Sequence, residues 1–179
     1  MKRNFLTALF PLVLVGWLTA CGGGTPPGDT GTPAPTLAEQ IKALEDSGEL
    51  TKLDRSSDIR GPDANNNGIR DDIDAWIAAL PVTDVQKKAV EQAARVRQSE
   101  LLVELSNEAE LNRLGDLSMS SVACLADVFM PEYQKGFDLS SKVVAMTANT
   151  KQRAKQYLAY NRAVSGSSGR LPEGNTCEP

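Results

Sequence analysis

Twelve consecutive residues, Asp63-Ala64-Asn65-Asn66-Asn67-Gly68-Ile69-Arg70-Asp71-Asp72-Ile73-Asp74, constrain this chain more than any other stretch. With Asp63 as position 1, oxygen-bearing side chains fall at positions 1, 3, 5, 9 and 12, and glycine falls at position 6. In a tightly curled backbone alternate side chains point inward, glycine permits the sharp turn, and a late carboxylate closes the shell. A calcium ion needs that spacing. The expected ligands are Asp63, Asn65, Asn67, Asp71 and Asp74, with the main-chain carbonyl of Ile69. The other reading is a polar turn that caps the next helix without metal, because Asn, Asp and Gly are the commonest turn formers. Three carboxylates rather than four or five imply an affinity of about 10⁻⁴–10⁻³ M, which suffices for a structural ion.

The pattern D-x-N-x-N-G-x-x-D-x-x-D resembles the calcium repeats of thrombospondin type 3 modules and, less closely, dockerin loops. It fits the EF-hand formula with Asp in place of Glu at position 12. The resemblance covers these residues only. Ile69 stands at position 7, where EF-hands and dockerins usually place the aliphatic residue at position 8, and the chain has one loop where those families use several. The resemblance thus implies the ion rather than a paired-EF-hand architecture.

Residues 1–20 read as a targeting segment: Lys2 and Arg3 lead an apolar stretch from Phe5 to Leu18, and small residues precede Cys21. The stretch is short for a membrane span. Leu18-Thr19-Ala20-Cys21 resembles the lipobox of bacterial lipoproteins. That resemblance implies cleavage before Cys21, lipidation of its sulfur and amino group, and a place in the bacterial cell envelope. Gly22 rather than Asp after the cysteine favours the outer membrane by the same resemblance. Several acyl chains anchor stably, since each buried methylene contributes about 0.8 kcal/mol. An ordinary cleaved signal with a chance cysteine is the alternative. Residues 21–35, rich in Gly, Pro and Thr, cannot bury enough surface to order themselves and read as a tether.

The remainder, 36–179, reads as one all-α domain, a small helical bundle with one EF-hand-like loop. Thr36 and Thr83 open capping boxes. The first helix carries Leu37, Ile41 and Leu44 on one face and stops near Gly48. Leu53 and Ile59 pack down from the connector that follows, and Ile73, Trp76, Ile77 and Leu80 face inward from the helix leaving the loop. The longest helix is expected from Thr83 to Leu114, with Val85, Ala89, Val90, Ala93, Val96, Leu101, Leu105 and Leu111 inside and Gly115 as its stop. Further helices are expected at about 118–129, 132–148 and 150–165. Their inner candidates include Val122, Leu125, Phe129, Tyr133, Phe137, Val143, Met146, Tyr157, Leu158 and Val164. Sustained alternation, the mark of a strand, is missing from the sequence.

Assigning Cys21 to lipid leaves Cys124 and Cys177, an even pair in an oxidising compartment. A disulfide between them would pin the C-terminal tail and contribute roughly 4 kcal/mol by closing a loop of about 50 residues. Two free thiols are the alternative. Loss of Lys2 and Arg3 with the signal takes the 19 bases to 17 against 23 acids, a net charge of −6. Six bases and no acid lie between Leu139 and Pro172, against ten acids and five bases in 37–74. The basic end either rests on anionic lipid, at roughly 1 kcal/mol per well-placed cation, or complements the acidic segment of its own domain. No nucleic-acid partner is expected of an acidic exported chain.

The chain has no histidine, which excludes Ser-His-Asp and Cys-His sites and His-ligated zinc. Nucleophile-elbow and phosphate-loop motifs are also lacking. Among carboxylates, Asp71, Asp72 and Asp74 are accounted for by the ion, which leaves Asp127 as the isolated candidate base, read as a solvent-facing or helix-pairing residue rather than a catalyst. The sequence therefore reads as a membrane-anchored envelope lipoprotein with a structural calcium site, an interaction or scaffolding protein with a protein partner in the envelope. The alternatives are an envelope enzyme acting on cell-wall polymer through carboxylates, and a calcium-responsive sensor.

Overall fold

A computed structural model describes residues 34–179; residues 1–33, with Cys21 and the lipobox, lie outside the described residues. The described chain is all-α, with helices α1 (Leu37–Asp46), α2 (Asp71–Ala78), α3 (Asp84–Leu102), α4 (Glu108–Val128), α5 (Tyr133–Thr147) and α6 (Lys151–Ala163). None of these helices is long and apolar enough to cross a membrane. Thr36 and Thr83 form the expected capping boxes, reciprocally bonded to Glu39 and Gln86. Each box satisfies N–H groups that a helix start would otherwise leave unpaired.

Helix α3 is the pillar: α2, α4, α5 and α6 all pack on it. The main core joins Ile69, Ile73 and Ile77 to Val90 and Ala93 of α3, Leu125 of α4 with Phe129 just past its end, and Val143 of α5. Helices α4 and α5 approach so closely at Gly136 that a Cβ there would lie 2.9 Å from the Phe129 ring. A smaller cluster of Val103, Leu111, Leu114 and Tyr160 packs where α3, α4 and α6 meet.

The expected long helix is in fact two. Helix α3 ends at Leu102, Val103 turns to extended backbone, and Asn107 starts α4 by accepting the Glu110 N–H at 3.1 Å. Gly115, expected as a stop, lies inside α4. Glycine in a helix costs only about 1 kcal/mol relative to alanine, so a capping asparagine and the packing of two separate helices outweigh it.

Several inner candidates are not inner. Val85, Tyr133 and Leu158 are 63%, 50% and 54% exposed, and α1 buries no residue at all, with Leu37 and Leu44 open. Helix α6 instead buries Arg153 and Tyr160, seven residues apart on one face. Its core face is thus set by a polar anchor that an apolar count overlooks. The tail is pinned as expected: Cys124 of α4 and Cys177 form a disulfide. Helix α3 holds the tail too. Gln92 Nε2 donates to the Thr176 carbonyl at 2.9 Å, and Arg95 pairs with Glu178.

Candidate metal centre

The loop between the connector and α2 curls because two residues take left-handed backbone, Asn66 (φ +56°) and Gly68 (φ +80°). Asparagine and glycine are the residues that tolerate this region. Asp63 anchors the curl, with Oδ1 accepting the Asn67 N–H at 3.1 Å and Oδ2 the Gly68 N–H at 3.0 Å. The oxygen of Asn65 accepts from Asn67 N and that of Asn67 from Ile69 N, at 3.1 and 2.9 Å. From the start of α2, Asp71 Oδ1 reaches back to Ala64 N (2.9 Å) and Asp74 Oδ2 accepts from Asn65 Nδ2 (3.0 Å).

All five side chains singled out from the spacing are therefore tied across one loop. The sixth residue, Ile69, is 1% exposed, and its side chain belongs to the core. The aliphatic residue at position 7 roots the loop in the bundle.

Among the described residues, no three His, Cys, Asp or Glu side chains gather closely enough to form a metal group by themselves. The loop offers a mixed set of three carboxylates, two amides and a carbonyl, all oxygen donors, which suits a hard cation such as calcium. Each oxygen that accepts one N–H keeps a second lone pair.

Asp72 departs from the reading that grouped it with the ion's acids. Its carboxylate turns away from the loop to Arg70, accepting Nε at 2.6 Å and Nη2 at 2.9 Å, and also takes the Asp54 N–H at 2.6 Å. Arg70 is 1% exposed and also donates to the Met146 carbonyl at 3.0 Å. Beside it lies Arg153, fully buried, which donates to Asp54, Asp58, Ile59 and Asn149. Burial alone would raise the Asp54 carboxyl, but hydrogen bonds from Arg153 and Ser56 outweigh it and hold the group below its ordinary value. Gly61 (φ +68°) threads between the two guanidiniums, where a Cβ would sit 2.4 Å from Arg70 Cδ.

This four-residue ionic layer under the loop was not legible as such. Its local signal is Arg70, a base set between the core residues Ile69 and Ile73. Arg153 belongs to the basic end and complements the acidic segment through Asp54. Asp127, the isolated candidate base, is exposed. Comparison of the chain with protein-family models, with curated proteins and with solved structures found no match.

Proposed function

We propose that this protein is an envelope lipoprotein, anchored through Cys21 and favouring the outer membrane, whose folded domain is stabilised by one structural calcium ion and serves interaction or scaffolding rather than catalysis. The observation that carries the calcium reading is the convergence of Asp63, Asn65, Asn67, Asp71 and Asp74 across one curled loop rooted in the core by Ile69. Those five side chains and the Ile69 carbonyl would hold the ion. It would neutralise Asp63, Asp71 and Asp74, whose mutual repulsion otherwise favours an open loop, and so set the angle at which α2 leaves it. The lipid reading rests on the sequence around Cys21.

Trp76 follows the loop and is half-buried against the core, so its emission reports on α2 docking. With Trp17→Phe it is the single tryptophan of the chain. Calcium titration of that full-length protein in detergent should shift Trp76 emission saturably and raise the thermal midpoint, and Asp63→Ala should abolish both. A flat titration with an unchanged midpoint would reduce the loop to a polar turn. Incorporation of labelled palmitate that is lost in Cys21→Ser tests the anchor independently.

A further inference from the structure

We propose that the angle between α3, α4 and α6 is a binding site for a small, uncharged, oxygen-rich ligand about the size of a mono- or disaccharide. The cavity there has a volume of about 620 Å³, within the ~300–1,000 Å³ usual for small-molecule sites. No residue of the 63–74 loop lines it.

Its floor is a buried polar set. Arg97 Nη1 donates to both oxygens of Glu100, at 2.6 and 2.8 Å, and Nη2 donates to Ser118 Oγ at 2.9 Å. Glu100 is 1% exposed, and the 4%-exposed Tyr160 of α6 lines the cavity with it. Burial pushes the Glu100 carboxyl above its ordinary value even though Arg97 draws it down, and raises the Tyr160 phenol to about 12. A buried ion pair is weak evidence for stability, because apolar residues of similar volume often serve the fold as well or better. Its place at the bottom of a cavity gives it another use. Arg97 Nε is buried and has no hydrogen-bond partner. A buried N–H left this way is unfavourable, and a small shift of the Arg97 side chain toward the cavity would let a ligand oxygen satisfy it.

Charge selects the class of ligand. Glu100 cancels Arg97, while Glu108 and Asp116 on the rim have no ion-pair partner among the described residues. An anion is therefore repelled. A cation would meet the donor face of Arg97 at the floor. A neutral ligand finds amides from Asn112 and Asn161 for its hydroxyls, and the apolar side chains of Leu111 and Met119 for its C–H faces.

Gly115 supplies a test that spares the fold. It lines the cavity, and a Cβ built on it meets nothing within 4 Å, so Gly115→Leu should fill the site while raising helix propensity. Saturation-transfer NMR on the full-length chain would use cellobiose and diacetylchitobiose as neutral probes, glucuronate as anion and spermidine as cation. Saturable binding of a neutral probe is expected, lost in Gly115→Leu with the thermal midpoint unchanged or higher. Arg97→Lys, which keeps the charge but removes the Nε donor, should weaken binding with helicity retained. Binding confined to glucuronate or spermidine overturns the ligand class. No saturable binding by any probe, or binding indifferent to Gly115→Leu, overturns the site.

Discussion

Arg153 and Asp54 are 99 residues apart in the chain, yet Nη2 of one lies 2.6 Å from Oδ2 of the other. The arginine is fully buried and makes five hydrogen bonds with four residues of the connector and the α5–α6 turn. Removing one partner of a buried pair leaves the other charge uncompensated, at a cost of about 3–5 kcal/mol. Arg153→Ala should lose that much by urea denaturation. Arg153→Lys should rescue little of it, since three donors on a point charge cannot replace a planar fork.

Gly61 combines left-handed backbone with a Cβ position only 2.4 Å from Arg70 Cδ and 2.9 Å from Arg153 Nη2. Gly61→Ala should destabilise by about 2 kcal/mol or more, because strained φ and displaced guanidiniums act together. An unchanged denaturation midpoint would mean that both arginines move aside freely.

If the loop binds calcium with a dissociation constant near 10⁻⁴ M, about 2 mM free calcium should add roughly 1.8 kcal/mol by mass action. The gain should vanish with chelator and in Asp74→Ala. Asp72→Asn separates the two roles of the acidic run: it should lower stability with and without calcium alike, since Asp72 serves Arg70.

Closing the 53-residue separation between Cys124 and Cys177 should contribute about 4 kcal/mol in the chain-entropy account. Cys177→Ser should show that loss in a thermal melt, and reductant should produce it in the parent but not in the variant.

Two acids should tilt stability with pH in opposite directions. Asp54 is held below its ordinary 3.8, so its contribution is present above that value and lost as pH falls through the folded one. Glu100 is raised above 4.5, chiefly by burial, so the folded state keeps its proton longer than the unfolded chain. Its contribution is most favourable below 4.5 and declines as pH rises through the folded value. Thermal midpoints followed by circular dichroism should show Asp54→Asn flattening the acid limb and Glu100→Gln flattening the decline above pH 4.5.

The helix starts at Thr36 and Thr83, the sharp turn of the loop and the disulfide were legible because capping threonines, Gly68 at position 6 and an even pair of cysteines announce them without knowledge of distant neighbours. The break at Val103–Asn107 was not, because Gly115 outranks an asparagine cap only when neighbours are ignored. Arg70, Glu100 and Arg153 escaped for a different reason. Burial of a charge depends on partners far along the chain, and no spacing within α6 announces Asp54. Exposed Val85 and Tyr133 err the opposite way, since apolar type alone does not say which face a helix turns to its neighbours.

Helix α1 stands apart from that bundle, held to the connector through Glu45, which accepts the Leu53 N–H and pairs with Arg55. A load applied from the N-terminal side would therefore meet this weak attachment first. Pulling would peel ten helical residues from a partly exposed ion pair before it reached the arginine-braced loop. The helix would act as a mechanical fuse, yielding in length so that the core behind it keeps its shape.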